Sequence, residues 1–459
     1  MQMTTGRFRR VFVANRGEIA IRIIRACKDL GIETVIGVSA ADRDTLGARL
    51  ADRAICIGPA AAKASYLNAD ALIAAARGTG CDAIHPGYGF LSERAGFQRL
   101  CVEAGMAFIG PSADAIEKMG DKITAIAMAR RAGLPIVPGK EKISSAEELL
   151  QAIGDVGLPC LIKATAGGGG RGMRVVRELA AAEAAFKSAQ AEALAAFGDG
   201  TLYLEKYISR ARHIEIQVLA DHHGNVCHLF ERDCTVQRRH QKLIEEAPSA
   251  VLAPATRTAM AEAALALTRA AGYTNAGTVE FVYDIDSDRF YFLEMNTRVQ
   301  VEHPVTEMIT GIDIVREQIR IAAGERLSFS QDQVRIDGAA IECRINAEDA
   351  TRGFQPIPGL ITTWSPPAQT GVRLDTHCYA GYRVPPYYDS MIAKVIVRAP
   401  TREAAIEQMD RYLDGFHVEG ITTTIPFQRQ VIMHRSFAAA DVTTTWVEDE
   451  LLREAAETV

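Results

Sequence analysis

The segment Arg289-Phe290-Tyr291-Phe292-Leu293-Glu294-Met295-Asn296-Thr297-Arg298-Val299-Gln300-Val301-Glu302-His303 gathers residue types that do chemistry. It begins as a strand, aromatic and aliphatic, after the turn-rich stretch from Asp284 to Asp288. From Glu294 a period of two takes over. Glu294, Asn296, Arg298, Gln300 and Glu302 share one parity, and Met295, Thr297, Val299 and Val301 the other. Alternate side chains of an extended chain share a face. One face therefore carries carboxylates, amides and a guanidinium. Such a set could form the floor of an active site. An ordinary solvated strand has the same look, so both readings fit.

Glu280, in Gly277-Thr278-Val279-Glu280-Phe281-Val282-Tyr283, supplies a further carboxylate. If this strand pairs with the next around Asp284 to Arg289, a register with Val282 opposite Phe292 sets Glu280 opposite Glu294 and Thr278 opposite Asn296. Opposed like charges on neighbouring strands destabilise a sheet. A divalent cation between them removes that penalty, and oxygen donors without His or Cys favour Mg²⁺ or Mn²⁺ over zinc. A solvated hairpin face remains the alternative.

Ala164-Thr165-Ala166-Gly167-Gly168-Gly169-Gly170-Arg171-Gly172 follows a predicted strand ending near Lys163. It matches Gly-x-Gly-x-x-Gly, but the strand-like Met173 to Val176 comes next, where a dinucleotide fold needs a helix. No Gly-Lys-Ser/Thr closes it as a Walker loop. Bare backbone N–H groups of such a hairpin can fold over phosphates, with Lys122 and Lys163 adding positive charge. A flexible surface turn is the alternative. Gln237-Arg238-Arg239-His240-Gln241-Lys242 is a compact cationic run suited to a small anion or to a solvated turn. His213-Ile214-Glu215-Ile216-Gln217 reads as a half-exposed strand, and His222-His223 as surface.

These segments need a scaffold. With 459 residues, the chain is too long for one core. Its 48% hydrophobic and 24% charged residues are globular composition, and a net charge of -6 gives no case for nucleic acid. Nine scattered cysteines without a Cys-x-x-Cys pair argue against a disulfide framework and suit a reducing cytoplasm. The apolar stretch Val11 to Ala14 is too short for a signal-peptide core, and no run of ~18 apolar residues predicts a membrane span. Strand and helix alternate up to about residue 115, which predicts an open parallel α/β sheet. Within it, the turn-rich His85 to Glu93 follows a strand and reads as a ligand-facing loop or a plain turn. Beyond lie a small α/β module over about 140–207, two hairpins (Ile214 to Ala220 with Val226 to Glu231, and Thr278 to Tyr283 with Phe290 to Met295), and a mixed strand and helix region from about Ala339.

Taken together, the chain resembles the biotin carboxylase component of biotin-dependent carboxylases, within the ATP-grasp superfamily. The likeness runs from Ala14-Asn15-Arg16-Gly17-Glu18-Ile19-Ala20 to about residue 445. It rests on His85 to Glu93, Gly167 to Met173, Glu205-Lys206-Tyr207, Glu231-Arg232-Asp233-Cys234, Gln237 to Lys242, Glu294 to Glu307 and Glu342-Cys343-Arg344-Ile345-Asn346-Ala347-Glu348. The resemblance implies an α/β and α+β chain of three domains. These are a Rossmann-like parallel α/β domain over 1–117, an ATP-grasp domain over 118–330 with a mobile glycine-loop lid at about 139–207, and a mixed α+β domain over 331–459.

The resemblance also implies roles. Lys122, Lys163 and Gly167, Gly168, Gly169 and Gly170 would contact ATP phosphates. Glu205, Lys206 and Ile208 would frame the adenine, with His213, Gln237 and His240 near the ribose and phosphates. Glu280, Glu294 and Asn296 would hold two Mg²⁺ or Mn²⁺ ions. Lys242, Arg298, Gln300 and the Val301 backbone would bind bicarbonate, Glu302 would deprotonate it, and Arg344 would bind biotin and steady its enolate. Ala166 departs from the family pattern, which has glycine there. The implied reaction is carboxylation of biotin on a biotin carboxyl carrier protein, through carboxyphosphate. It is the first half-reaction of an acyl-CoA carboxylase, of the acetyl-CoA type that serves fatty acid biosynthesis. No Met-Lys-Met attachment site is present, so a separate carrier, or a longer chain, is expected to bring the biotin. Carboxyltransferase subunits and a homodimer are the other implied partners. Another ATP-grasp ligase, taking ammonia or an amine, and a non-catalytic nucleotide binder are the competing classes.

Overall fold

The computed structural model of the protein describes residues 7–164, 173–197 and 200–457. Two compact units emerge. One comprises Met1–Gly133, Arg212–Phe281 and Leu293–Val459, and the other Leu134–Ala211 with Val282–Phe292.

The first unit begins with a five-stranded parallel sheet in the order β3-β2-β1-β4-β5. Its strands are β1 (Arg10–Val13), β2 (Glu33–Ser39), β3 (Arg53–Gly58), β4 (Ala83–His85) and β5 (Ala107–Phe108). Strands covered on both faces read as continuous apolar runs. Val11, Phe12 and Val13 accordingly have no exposed surface, with Phe12 in register with Val35 and Ile84. Helix α1 (Gly17–Asp29) is buried almost all round, including Glu18 in its first turn. The turn before it is held from the side: Asn15 Nδ2 donates to the carbonyls of Pro86 (2.6 Å) and Tyr88 (2.7 Å). Gly87 sits at φ +62°, and a Cβ there would lie 2.9 Å from Asn15 Nδ2. The His85 to Glu93 turn is thereby locked to the start of α1.

The first unit also holds most of an eight-stranded antiparallel sheet. Its strands β10 (Ala211–Ala220), β11 (Val226–Arg238), β12 (Gln241–Ala247), β13 (Asn275–Asp284), β14 (Arg289–Asn296) and β15 (Ala339–Asn346) are joined by Met391–Ala399 and Val372–Thr376. The order is β14-β13-β10-β11-β12-β15, then Met391–Ala399 and Val372–Thr376. Strands from either side of residue 330 thus share one sheet, with Ile244 opposite Cys343 and Glu245 opposite Glu342. Ile341, Val395, Val397, Met409, Phe437 and Trp446 belong to the core beneath its far end.

The second unit holds a four-stranded sheet in the order β6-β9-β7-β8. These strands are β6 (Gly139–Ile143), β7 (Cys160–Ala164), β8 (Arg174–Val176) and β9 (Leu202–Lys206). The helix Ala146–Val156 is capped by Ser145, which accepts from the Glu148 N–H. Ile143, Leu149, Ile153, Ile162, Phe186 and Leu204 form its core. Among the described residues, no helix is long and apolar enough to cross a membrane.

Candidate active site

Strand β14 ends at Asn296, and residues 297–302 turn into a helix, His303–Thr310, with Pro304 in its first turn. The alternation nevertheless outlasts the strand. Glu294, Asn296, Arg298, Gln300 and Glu302 all line one cavity of about 900 Å³, whereas Met295, Thr297 and Val299 do not. Val301 breaks the parity and also faces the cavity.

Lys242 is the central cation. It follows the tight turn joining β11 to β12, where Gln237 pairs with Lys242 and Arg238 with Gln241. Arg239 and His240 occupy that turn with φ of +48° and +63°. Hairpins usually place Asn-Gly in such left-handed positions, because a Cβ strains them. Here the turn carries Arg239 and His240, and His240 lines the cavity. Lys242 Nζ reaches Glu215 at 2.5 Å, Glu302 at 2.5 Å and Glu280 at 3.1 Å. Burial works against its charge, but the three carboxylates hold its pKa well above the usual range.

Glu302 is buried with both oxygens engaged, Oε1 by Lys242 and Oε2 by Arg344 at 3.1 Å. Burial alone would raise its carboxyl. Lys242, then Arg344 and Arg232, outweigh that and hold it at about 2. Arg344, from β15, also pairs with Glu245 at 2.5 Å. The Glu245 carboxyl is pushed up to about 7 by burial, against the pull of Arg344. Arg298 donates to Glu93 at 3.0 Å and to Asn296 Oδ1 at 2.9 Å. Gln300 Nε2 donates to Glu280 at 2.8 Å.

Beneath this layer lies Arg232, fully buried on β11. Its guanidinium donates to Glu215 (2.5 Å), Gln217 (2.7 Å), Thr306 (3.0 Å), Thr278 (3.1 Å) and Gln300 (2.8 Å). These five bonds match the five N–H groups of the fork. The His213 to Gln217 segment was expected to be half exposed, yet Glu215 and Gln217 are wholly buried. Their polar faces are covered by Arg232 rather than by water.

β13 and β14 are neighbours, and Glu280 and Glu294 interact electrostatically. Burial, then the negative charge of Glu280, raises the Glu294 carboxyl. A cation would relieve that repulsion, and Glu280, Glu294 and Asn296 offer only oxygen, so the residues fit Mg²⁺ or Mn²⁺. His213 Nε2 approaches Glu280 at 3.2 Å. Burial disfavours its charge, but Glu280 outweighs that and pushes the imidazole up to about 9. In its protonated form the imidazole acts as a counter-ion to Glu280. Lys122, at the start of the helix Lys122–Arg131, lines the cavity together with His213, Gln237 and His240.

In the second unit, Lys163 Nζ pairs with Glu205 at 2.5 Å, Lys206 donates to the Leu158 carbonyl at 2.9 Å, and Ile208 is half-buried. Gly167 to Gly170 lie outside the described residues. The sequence reading assigned no role to Glu93, Glu215, Arg232 or Glu245. Glu93 and Arg232 stood inside the recognised motifs, which was the available signal. For Glu215 and Glu245 the only signal was a carboxylate in an otherwise strand-like stretch.

Comparison with known proteins agrees along the chain. Residues 7–116 match the model for the biotin carboxylase N-terminal domain, 121–330 that for the carbamoyl-phosphate synthase L chain ATP binding domain, and 342–449 that for the biotin carboxylase C-terminal domain. Biotin carboxylase 1 of Bacillus subtilis (strain 168) is 53% identical over 441 residues, covering 96% of this chain and 98% of that protein. The biotin carboxylase domain of a thermophilic 2-oxoglutarate carboxylase, solved bound to bicarbonate, is 46% identical with a TM-score of 0.93, over 97% of this chain and 99% of that one. The corresponding domain from Hydrogenobacter thermophilus, solved as a dimer with MgADP, ADP and bicarbonate, is 47% identical with a TM-score of 0.87, over 97% and 98%. The fold and the convergent carboxylates, lysines and arginines define an ATP-dependent ligase of the ATP-grasp class. Within that class, the chain belongs to the biotin carboxylase family, whose reaction is the ATP-dependent carboxylation of biotin with bicarbonate.

Proposed function

We propose that Glu302 is the base of this reaction, that Lys242, Arg298, Gln300 and the Val301 backbone hold bicarbonate, and that Arg344 stabilises the biotin enolate. The observation that carries this reading is the Glu302 carboxylate bridging Lys242 and Arg344 in the cavity that Arg298 and Gln300 also line. Bicarbonate is a weak nucleophile until it loses its proton. Glu302 is ionised at neutral pH and positioned to accept it, but Lys242 weakens it as a base. A bound bicarbonate anion shares the charge of Lys242 and Arg298, so Glu302 regains basicity when its substrate arrives.

The proton passes from bicarbonate to a Glu302 oxygen. The oxygen left behind attacks the γ-phosphorus of ATP, the bond to ADP breaks, and carboxyphosphate forms. Lys122 and Lys242 offset charge on the phosphoryl oxygens. Mg²⁺ or Mn²⁺, held by Glu280, Glu294 and Asn296, supplies further neutralisation when bound. Carboxyphosphate splits to CO₂ and phosphate, the phosphate removes the N1 proton of biotin, and the enolate, paired with Arg344, attacks CO₂. In the second unit, Lys163, Glu205, Lys206 and Ile208 are the residues proposed to take the purine and its phosphates.

Biotin arrives on a biotin carboxyl carrier protein, and a carboxyltransferase consumes the carboxybiotin. The chain works in the cytoplasm as a homodimer. The dimeric Hydrogenobacter thermophilus relative and the nine free cysteines support these readings. Acetyl-CoA is the proposed final acceptor. The test is ADP release with and without bicarbonate and free biotin, alongside ¹⁴C-carboxybiotin formation from labelled bicarbonate. ATP turnover without label in biotin would sink the assignment.

A further inference from the structure

Lys394 is a charge where the sequence asks for none. It lies in the middle of Met391-Ile392-Ala393-Lys394-Val395-Ile396-Val397, flanked by buried apolar residues, and is itself wholly buried. It does not line the active-site cavity. Its Nζ donates to the Val301 carbonyl at 2.6 Å and pairs with Glu18 at 3.3 Å. Arg344 lies opposite Lys394 on one neighbouring strand and Asp375 on the other, so the three form a row across the sheet. Asp375 is already held by both arms of Arg373, at 2.9 and 2.6 Å. Glu18 is the carboxylate in contact with Lys394, and the buried Glu342 is a further negative charge acting on it.

The Val301 carbonyl belongs to the peptide plane that leads into Glu302. Fixing that oxygen fixes ψ of Val301 and with it the direction from which Glu302 enters the cavity. Burying an ammonium costs several kcal/mol, and a methionine would fill the strand position without that cost. We infer that Lys394 is a positioning residue for the bicarbonate end of the site: its ammonium clamps the Val301–Glu302 peptide and Glu18 supports the clamp. The inference rests on the assignment of Val301 and Glu302 to bicarbonate.

Lys394→Met, the double variant Lys394→Met with Glu18→Gln, and Glu302→Gln test it together. Kinetics for bicarbonate and for ATP are measured on each, with thermal unfolding. Misplacing a reacting group by about 1 Å costs on the order of a hundredfold. Lys394→Met is expected to lose that in kcat/KM for bicarbonate, with the KM for ATP within about twofold of the parent. The double variant leaves no unbalanced Glu18 charge, so it recovers part of the lost thermal stability, with Glu342 still short of its cation. It still lacks the donor to Val301, so its bicarbonate defect remains. If the double variant regains bicarbonate turnover together with stability, the lysine serves only to balance Glu18 and the inference falls. If Lys394→Met does not fold, the double variant alone decides between these outcomes. Normal turnover by Glu302→Gln would overturn the underlying assignment and this inference with it. An inactive Glu302→Gln beside a fully active double variant would overturn this inference alone.

Discussion

Replacing Glu302 by glutamine separates proton transfer from shape. The amide has the size of the carboxylate, its Oε1 can still accept from Lys242, and Lys242 keeps Glu215 at 2.5 Å and Glu280 at 3.1 Å. What disappears is the acceptor for the bicarbonate proton. General-base catalysis contributes about 10²–10⁴-fold, or roughly 3–5 kcal/mol of barrier. Bicarbonate-dependent ADP release is expected to fall by that range. ATP affinity, by calorimetric titration, is expected to stay within about threefold, because Glu302 is not among the residues assigned to the nucleotide. Stability moves too. The Glu302 carboxyl falls from 4.5 to about 2 on folding. A depressed folded value stabilises above the unfolded one and loses that contribution as pH falls through about 2. At neutral pH the variant therefore loses at most about 3 kcal/mol, measurable by urea unfolding. Bicarbonate-dependent turnover within about tenfold of the parent would refute the assignment of the base.

Three further outcomes are expected. Glu245, raised to about 7, should place the acid limb of kcat/KM near pH 7, because its protonation leaves Arg344 to Glu302 alone. As a carboxyl raised on folding, it also makes stability decline from about pH 4.5 to 7, by about 3 kcal/mol; Glu245→Gln should flatten both profiles. Arg232→Met strands the buried Glu215 and empties five hydrogen bonds, so urea unfolding should show a loss of about 3–5 kcal/mol. Chelation should abolish turnover reversibly, and Glu294→Gln should raise the Mg²⁺ concentration for half-maximal activity roughly tenfold or more, read from a metal titration of ADP release.

Much of this site was legible because its period is simple. A parity of two picked out Glu294, Asn296, Arg298, Gln300 and Glu302, and these residues do line one cavity. The reason given was incomplete, since the strand stops at Asn296 and a turn places the last three. The parallel N-terminal sheet was readable from buried apolar runs such as Val11 to Val13, which need no partner to be recognised. Glu215 and Arg232 were not readable in this way. Alternation on β10 predicts a wet face, and only the fold puts a guanidinium over it. Lys394 escaped for the same reason, because one polar residue in an apolar strand does not name its partner.

The pairing of charges explains how such a site admits anions. In the free protein Lys242 is held by Glu302, Arg344 by Glu245, and Arg298 by Glu93. If bicarbonate and the ATP phosphates bind at these residues, as proposed, they exchange with carboxylates rather than fill bare cationic pockets. Desolvation is then modest, since each cation keeps a counter-ion until its substrate replaces it. The exchange also couples binding to chemistry. While Lys242 is paired with Glu302, that carboxylate is a weaker base than an ordinary glutamate. On the proposed assignment, bicarbonate draws on Lys242 and Arg298, and Glu302 strengthens beside the proton it removes. If Glu302 is the base, as proposed, it is activated by the nucleophile it serves, because the Lys242 that pairs with it is drawn off by bicarbonate.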